Sequence, residues 1–221
     1  MESTNSHRQL KVNKLLAIIA ISLIAVGIIK LVLFEVGRHN ANAPITASPE
    51  TTITISSDTP SEATVSSDFF MQVADDQPRE IILPTIQTTG YIRRVGIDQN
   101  NQIAVPDSIY LAGWYVNSVK PDEAGLSIID GHVLGNYNDA IFKDLHALKP
   151  GDTFSIIYGD DSEKIFRVIE IKTLPIDETI AYLMQHDTAI QKQLNLITCG
   201  GNYDSSSNQY DMRVIVKSEG I

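Results

Sequence analysis

The sequence predicts a mainly β domain folded into a closed, or nearly closed, barrel. Short apolar or alternating runs recur through residues 81–221, with turn residues between them. Only two segments of that stretch have helical spacing. The strands also come at short intervals, which favours a barrel over βαβ units.

Taken in order, Tyr91 to Asp98 alternates and breaks at Gln99-Asn100-Asn101, and Gln102 to Val105 is a short strand stopped by Pro106-Asp107. Leu83-Pro84-Thr85-Ile86-Gln87, ahead of them, is expected to mark the start of the first strand. Gly125 to Asp130 is an apolar run ending at Gly131-His132. Thr153 to Tyr158 and Lys164 to Thr173 flank Gly159-Asp160-Asp161, a hairpin signal. Leu194 to Cys199 and Met212 to Lys217 supply two further strands. The helical segments are Asp139 to Leu148, with Ile141, Phe142, Leu145 and Leu148 on one face before Pro150-Gly151, and Asp177 to Gln193.

The N-terminal part reads differently. Leu15 to Phe34 is almost wholly Leu, Ile, Ala and Val, about the 20 residues a helix needs to cross a bilayer. Arg8, Lys11 and Lys14 precede it, so residues 1–14 are expected in the cytoplasm and everything after Glu35 outside the cell. A cleaved signal peptide, with Ala41-Asn42-Ala43 as the cleavage site, is the rival reading. Both export the domain. Residues 35–80 are rich in Ser and Thr, with Pro44, Pro49 and Pro60, and are expected to be a flexible linker.

The formal net charge of −10 and the lack of a basic stripe argue against nucleic-acid binding. No C-x-x-C or H-x-x-x-H spacing suggests a metal, and no cofactor is implied.

The single cysteine, Cys199, excludes an intramolecular disulfide. An apolar strand carries it to Gly200-Gly201, a corner where a side chain can sit exposed at a strand end. That leaves a buried thiol, an intermolecular bridge or a nucleophile. A nucleophile needs a proton shuttle and an oxyanion donor. His146 and His186 fall within the helical segments and read as solvated helix residues, whereas His132 stands at a strand end. Arg213 opens the last strand, and a hairpin with the Cys199 strand would bring the two together.

Gly131-His132-Val133, Leu196-Ile197-Thr198-Cys199 and Arg213, in that order, resemble the sortase family of cysteine transpeptidases. Val105-Pro106-Asp107, Gly113-Trp114-Tyr115 and Leu148-Lys149-Pro150-Gly151-Asp152 extend the resemblance over nearly all of 81–221. Papain-like and NlpC/P60 peptidases place Cys before His, the reverse of this order. Asn195 stands where the family's signature has its first Thr. Gly113-Trp114-Tyr115 and the Gly-Gly after the cysteine are most similar to class E and F members.

The resemblance implies a closed eight-stranded barrel behind one transmembrane helix, with 81–221 as the extracellular catalytic domain. It implies that Cys199 attacks the Thr–Gly bond of a Leu-Pro-x-Thr-Gly-like sorting signal. His132 would then protonate the departing amine, and Arg213 would bind substrate or oxyanion. Thr198 would support them, and Ile176, Ile180 and Leu183 would line the groove near the Leu-Pro end. The implied partners are surface proteins bearing such signals and an amine of the cell wall or of a pilin lysine. The alternative is an exported β-barrel binding module without catalysis.

Overall fold

The computed structural model describes residues 54–55, 60–63, 73–99 and 101–221. The expected transmembrane segment at 15–34 lies outside them. Among the described residues, no helix is long and apolar enough to cross a membrane.

Ten strands are present among the described residues: β1 Thr54–Ile55, β2 Pro78–Leu83, β3 Thr88–Val95, β4 Gln102–Ile103, β5 Leu111–Tyr115, β6 Gly125–Gly131, β7 Thr153–Tyr158, β8 Glu163–Pro175, β9 Lys192–Asp204 and β10 Gln209–Gly220. Eight of them close into a barrel in the order β10-β8-β7-β2-β3-β5-β6-β9, with β9 pairing back onto β10. The protein is thus mainly β, a closed eight-stranded barrel with few short helices. β1 pairs in parallel with β4 outside the barrel.

The barrel interior holds Ile81, Leu83, Trp114, Ile129, Phe142, Phe154, Phe166 and Leu196. A second cluster, built on Ile103, Tyr115, Ile128, Leu183, Ile197 and Ile215, covers part of the outer face. β9 is therefore buried on both sides along Gln193–Thr198, which explains a run too apolar to alternate.

The helical expectations need correcting. Residues 139–148 hold only a 3-10 helix at Leu145–Ala147. Their apolar residues are buried as the periodicity implies, but the first N–H groups are bonded outside the segment, Ile141 to the Ile109 carbonyl (2.8 Å) and Phe142 to that of His132 (3.0 Å), and Lys143, Leu145, Ala147 and Leu148 make only three-residue turns. The second segment forms a helix, α1, only at Ile176–Leu183. Polar side chains of β9 capture the chain beyond it. Asn195 Nδ2 donates to the Leu183 carbonyl, Gln193 Nε2 donates to that of Gln185, and Gln193 Oε1 accepts from Asp187 N–H. Gln193 itself lies in β9.

Three strands, β1, β2 and β5, were not expected. Leu83-Pro84 marks the exit of the first barrel strand, into a 3-10 turn at Pro84–Ile86, and does not mark its start. Residues 60–63 pack against the loop before β5: Ser61 N–H donates to the Asp107 carbonyl (2.7 Å), and its carbonyl accepts from Ile109 (3.1 Å).

Candidate active site

Three adjacent strands position the candidate residues. β9 lies between β6, which it joins in parallel, and β10, which it joins antiparallel. His132 follows the last residue of β6, Cys199 lies within β9, and Arg213 on β10 pairs directly with Cys199. All three line one cavity of about 440 Å³, together with Val105, Asp130, Thr198, Tyr203 and Tyr210.

Gly200-Gly201 does not end the strand as expected. β9 continues to Asp204, and the register with β10 shifts between Tyr210 and Met212. Gly201 sits at φ +78, a left-handed conformation that favours glycine, and the next N–H, that of Asn202, donates to Asp211 Oδ1 (2.7 Å). Cys199 is accordingly a half-buried residue inside a hairpin. Most of the segment expected as a loop between the two strands is paired, with Ser205–Asn208 as its turn.

His132 is held at both its backbone and its ring. Its carbonyl accepts the Phe142 N–H, and its Nε2 lies 2.7 Å from the Pro106 carbonyl. A carbonyl only accepts, so Nε2 carries the proton of this bond. A side chain on Gly131 would strike the Phe142 ring (2.6 Å), so glycine lets the strand end close over the barrel core. Arg213 is only 4% exposed; its Nη1 donates to the carbonyls of Tyr210 (3.1 Å) and Met212 (2.9 Å). Those bonds use one arm of the guanidinium fork and leave Nη2 and Nε for a ligand in the cavity. Burial pushes the Cys199 thiol above its ordinary pKa, Arg213 pulls it down, and Asp130 adds a smaller push upward.

The other expected residues divide. Thr198 lines the cavity, but its hydroxyl donates to the Gly131 carbonyl (2.7 Å), tying β9 to β6 one residue before His132. Leu183 is fully buried in the outer cluster, Ile180 packs against that cluster, and neither they nor Ile176 line the cavity. Among the described residues, no group of three or more His, Cys, Asp or Glu side chains is placed to hold a metal. Sequence reasoning missed Asp130, Pro106 and the Tyr203–Tyr210 ring pair. Asp130 closes an apolar run two residues before His132, and only its burial sets it apart from a turn residue.

The closed barrel thus brings Cys199, His132 and Arg213 from three neighbouring strands to one cavity. The sortase domain profile matches residues 81–220, and the chain belongs to the sortase family of cysteine transpeptidases. No curated protein sequence matches the chain. Among solved structures, the chain is similar to sortase C from Streptococcus pneumoniae (20% identity, TM-score 0.51, covering 80% of this chain and 81% of that one). It is also similar to a lid mutant of sortase A from Corynebacterium diphtheriae (22% identity, TM-score 0.50, covering 68% and 73%). A third is a pilus-related sortase C of Group B Streptococcus (18% identity, TM-score 0.50, covering 77% and 80%). At these identities the likenesses speak for the fold.

Proposed function

We propose that this sortase cleaves a Leu-Pro-x-Thr-Gly-like sorting signal between Thr and Gly and joins the Thr carboxyl to an amine. The carrying observation is the register that sets Arg213 opposite Cys199 in the cavity His132 also lines. The Cys199 thiolate attacks the Thr carbonyl carbon, and the free arms of Arg213 hydrogen-bond the oxygen on which charge develops. The intermediate collapses to a thioester as the C–N bond breaks, and His132 gives a proton to the departing glycine amine. The incoming amine loses its proton to His132 as it attacks the thioester, which restores Cys199. Thr198 acts through Gly131, by fixing the strand end that presents His132.

In this reading Leu15 to Phe34 anchors the enzyme in the membrane with the barrel outside the cell. Surface proteins with C-terminal sorting signals are its substrates, and a peptidoglycan amine or a pilin lysine is its acceptor. The Gly113-Trp114-Tyr115 element and the Gly-Gly after Cys199 carry the assignment to class E or F. The test is product analysis after incubating the protein with a Leu-Pro-x-Thr-Gly peptide and a panel of amines. A new amide at Thr with release of the Gly fragment supports the proposal. An intact peptide across a panel of sorting motifs overturns it.

A further inference from the structure

A buried acid lies in the same pocket, unused by the chemistry above. Asp130 is 2% exposed, and neither carboxyl oxygen has a hydrogen-bond partner among the described residues. A buried carboxylate without a donor is costly, and the neutral acid is far less so. Burial accordingly pushes the Asp130 carboxyl well above the usual carboxylate range.

The surroundings show that the acid has a built seat. Strand alternation puts Asp130 on the same side of β6 as Ile128 of the outer cluster. Its neighbour on β5 is Gly113. A side chain there would strike both Asp130 Oδ1 and the Pro106 ring. Gly113 thus leaves room for the acid and for the proline whose carbonyl holds His132. The titratable and charged groups lining the cavity with it are His132, just beyond the end of its own strand, Cys199 and Tyr203 from β9, and Arg213 and Tyr210 from β10. On the far side of Gly113, β3 contributes Arg93, which is tied to Asp107 at 2.6 Å.

We propose that Asp130 is a positioning residue for the Cys199 chemistry: as a protonated acid it leaves Arg213 to the thiolate, and on ionising it opposes the thiolate and competes for Arg213. The proposal rests on Cys199 being the nucleophile. It moves thiolate formation to higher pH, because the thiol and the acid titrate as a coupled pair and the loss of one proton hinders the loss of the other.

The test is the pH dependence of Cys199 alkylation by iodoacetamide in the full-length protein, wild type against Asp130→Asn. It needs no sorting peptide, so it reads out whether or not transpeptidation is found. In Asp130→Asn the thiol should titrate in one step at lower pH. Alkylation in mildly alkaline buffer should then rise about three- to tenfold, a pKa unit being tenfold in thiolate. With turnover as the readout, the rise of kcat/KM with pH should move to lower pH in Asp130→Asn while KM is unchanged. Superimposable profiles in a variant that melts cooperatively would overturn the proposal. If Asp130→Asn does not fold, carbon-13 NMR of wild-type protein labelled at Asp carboxyls decides. A carboxyl still protonated near neutral pH that shifts when Cys199 is alkylated supports the proposal, and its absence refutes it.

Discussion

Replacing Thr198 by Val isolates a single hydrogen bond that the structure places between the cysteine strand and the histidine strand. Thr198 is buried and its Oγ1 donates to the Gly131 carbonyl at 2.7 Å. Valine has nearly the same shape, so no cavity opens, but the buried carbonyl loses its donor. That costs about 1–3 kcal/mol. For a domain of this size, each kcal/mol lowers Tm by roughly 3–5 °C, so a fall of at least about 3 °C is expected in a thermal melt. The kinetic effect should be larger than the loss of stability suggests. The residue after Gly131 is His132, and a misplacement of about 1 Å at a reacting group can cost about a hundredfold. Turnover of a sorting peptide should therefore drop about ten- to a hundredfold in kcat with little change in KM. Thr198→Ser keeps the donor and loses only a methyl group, so it should melt about 1 kcal/mol lower yet retain most of kcat. A Val variant with wild-type kcat, or a Ser variant as slow as Val, would refute this linkage.

Three further outcomes follow from the same structure. Burial holds the Asp130 carboxyl well above its unfolded value, so the folded chain keeps this proton to higher pH than the unfolded chain does. Its folded pKa is the raised one, so its contribution to stability is complete below the unfolded carboxylate range, near 4, and is lost as pH rises from there toward the folded value. Asp130→Asn should therefore raise Tm at neutral pH and change it little near pH 4 (about the unfolded value), as paired melts at the two conditions would show. Phe142→Ala should destabilise the barrel by about 3–5 kcal/mol in denaturant unfolding, because the ring is fully buried and Gly131 rests on it. Arg213→Lys keeps the charge but loses the fork that bonds Tyr210 and Met212 while reaching the cavity. It should lower kcat in the peptide assay by tenfold or more and also lower Tm, because the Tyr210 and Met212 carbonyls lose the donor that this buried guanidinium supplies.

The strands that alternate, or that are uniformly apolar between turn residues, were legible in the sequence: β7 matches its expected span, Thr153–Tyr158, residue for residue. β5 was not, because Leu-Ala-Gly-Trp-Tyr is buried throughout and carries neither alternation nor β-branched residues. Residues 139–148 misled for a physical reason. Their apolar spacing records burial against the barrel, but the N–H groups of Ala140, Ile141 and Phe142 are bonded to other segments and the rest close only three-residue turns, and periodicity does not see hydrogen-bond partners. The truncation of α1 has a similar origin, since Gln193 and Asn195 act from β9 across the core of the outer layer. At the site, His132, Cys199 and Arg213 were singled out by residue type and expected strand-end positions; the structure brings all three to one cavity, with Cys199 and Arg213 inside their strands. Asp130 was passed over because an acid at the end of an apolar run reads as a turn residue until its burial is known.

The central claim is that Cys199 forms a thioester with the substrate, and intact mass spectrometry of the protein tests it most directly. After brief incubation with a Leu-Pro-x-Thr-Gly peptide and no added amine, the protein should gain the mass of the peptide up to Thr, mapped to Cys199. Cys199→Ala should gain nothing while melting like the wild type. An adduct that persists in Cys199→Ala, or none on the wild type across a panel of sorting motifs, would contradict the account.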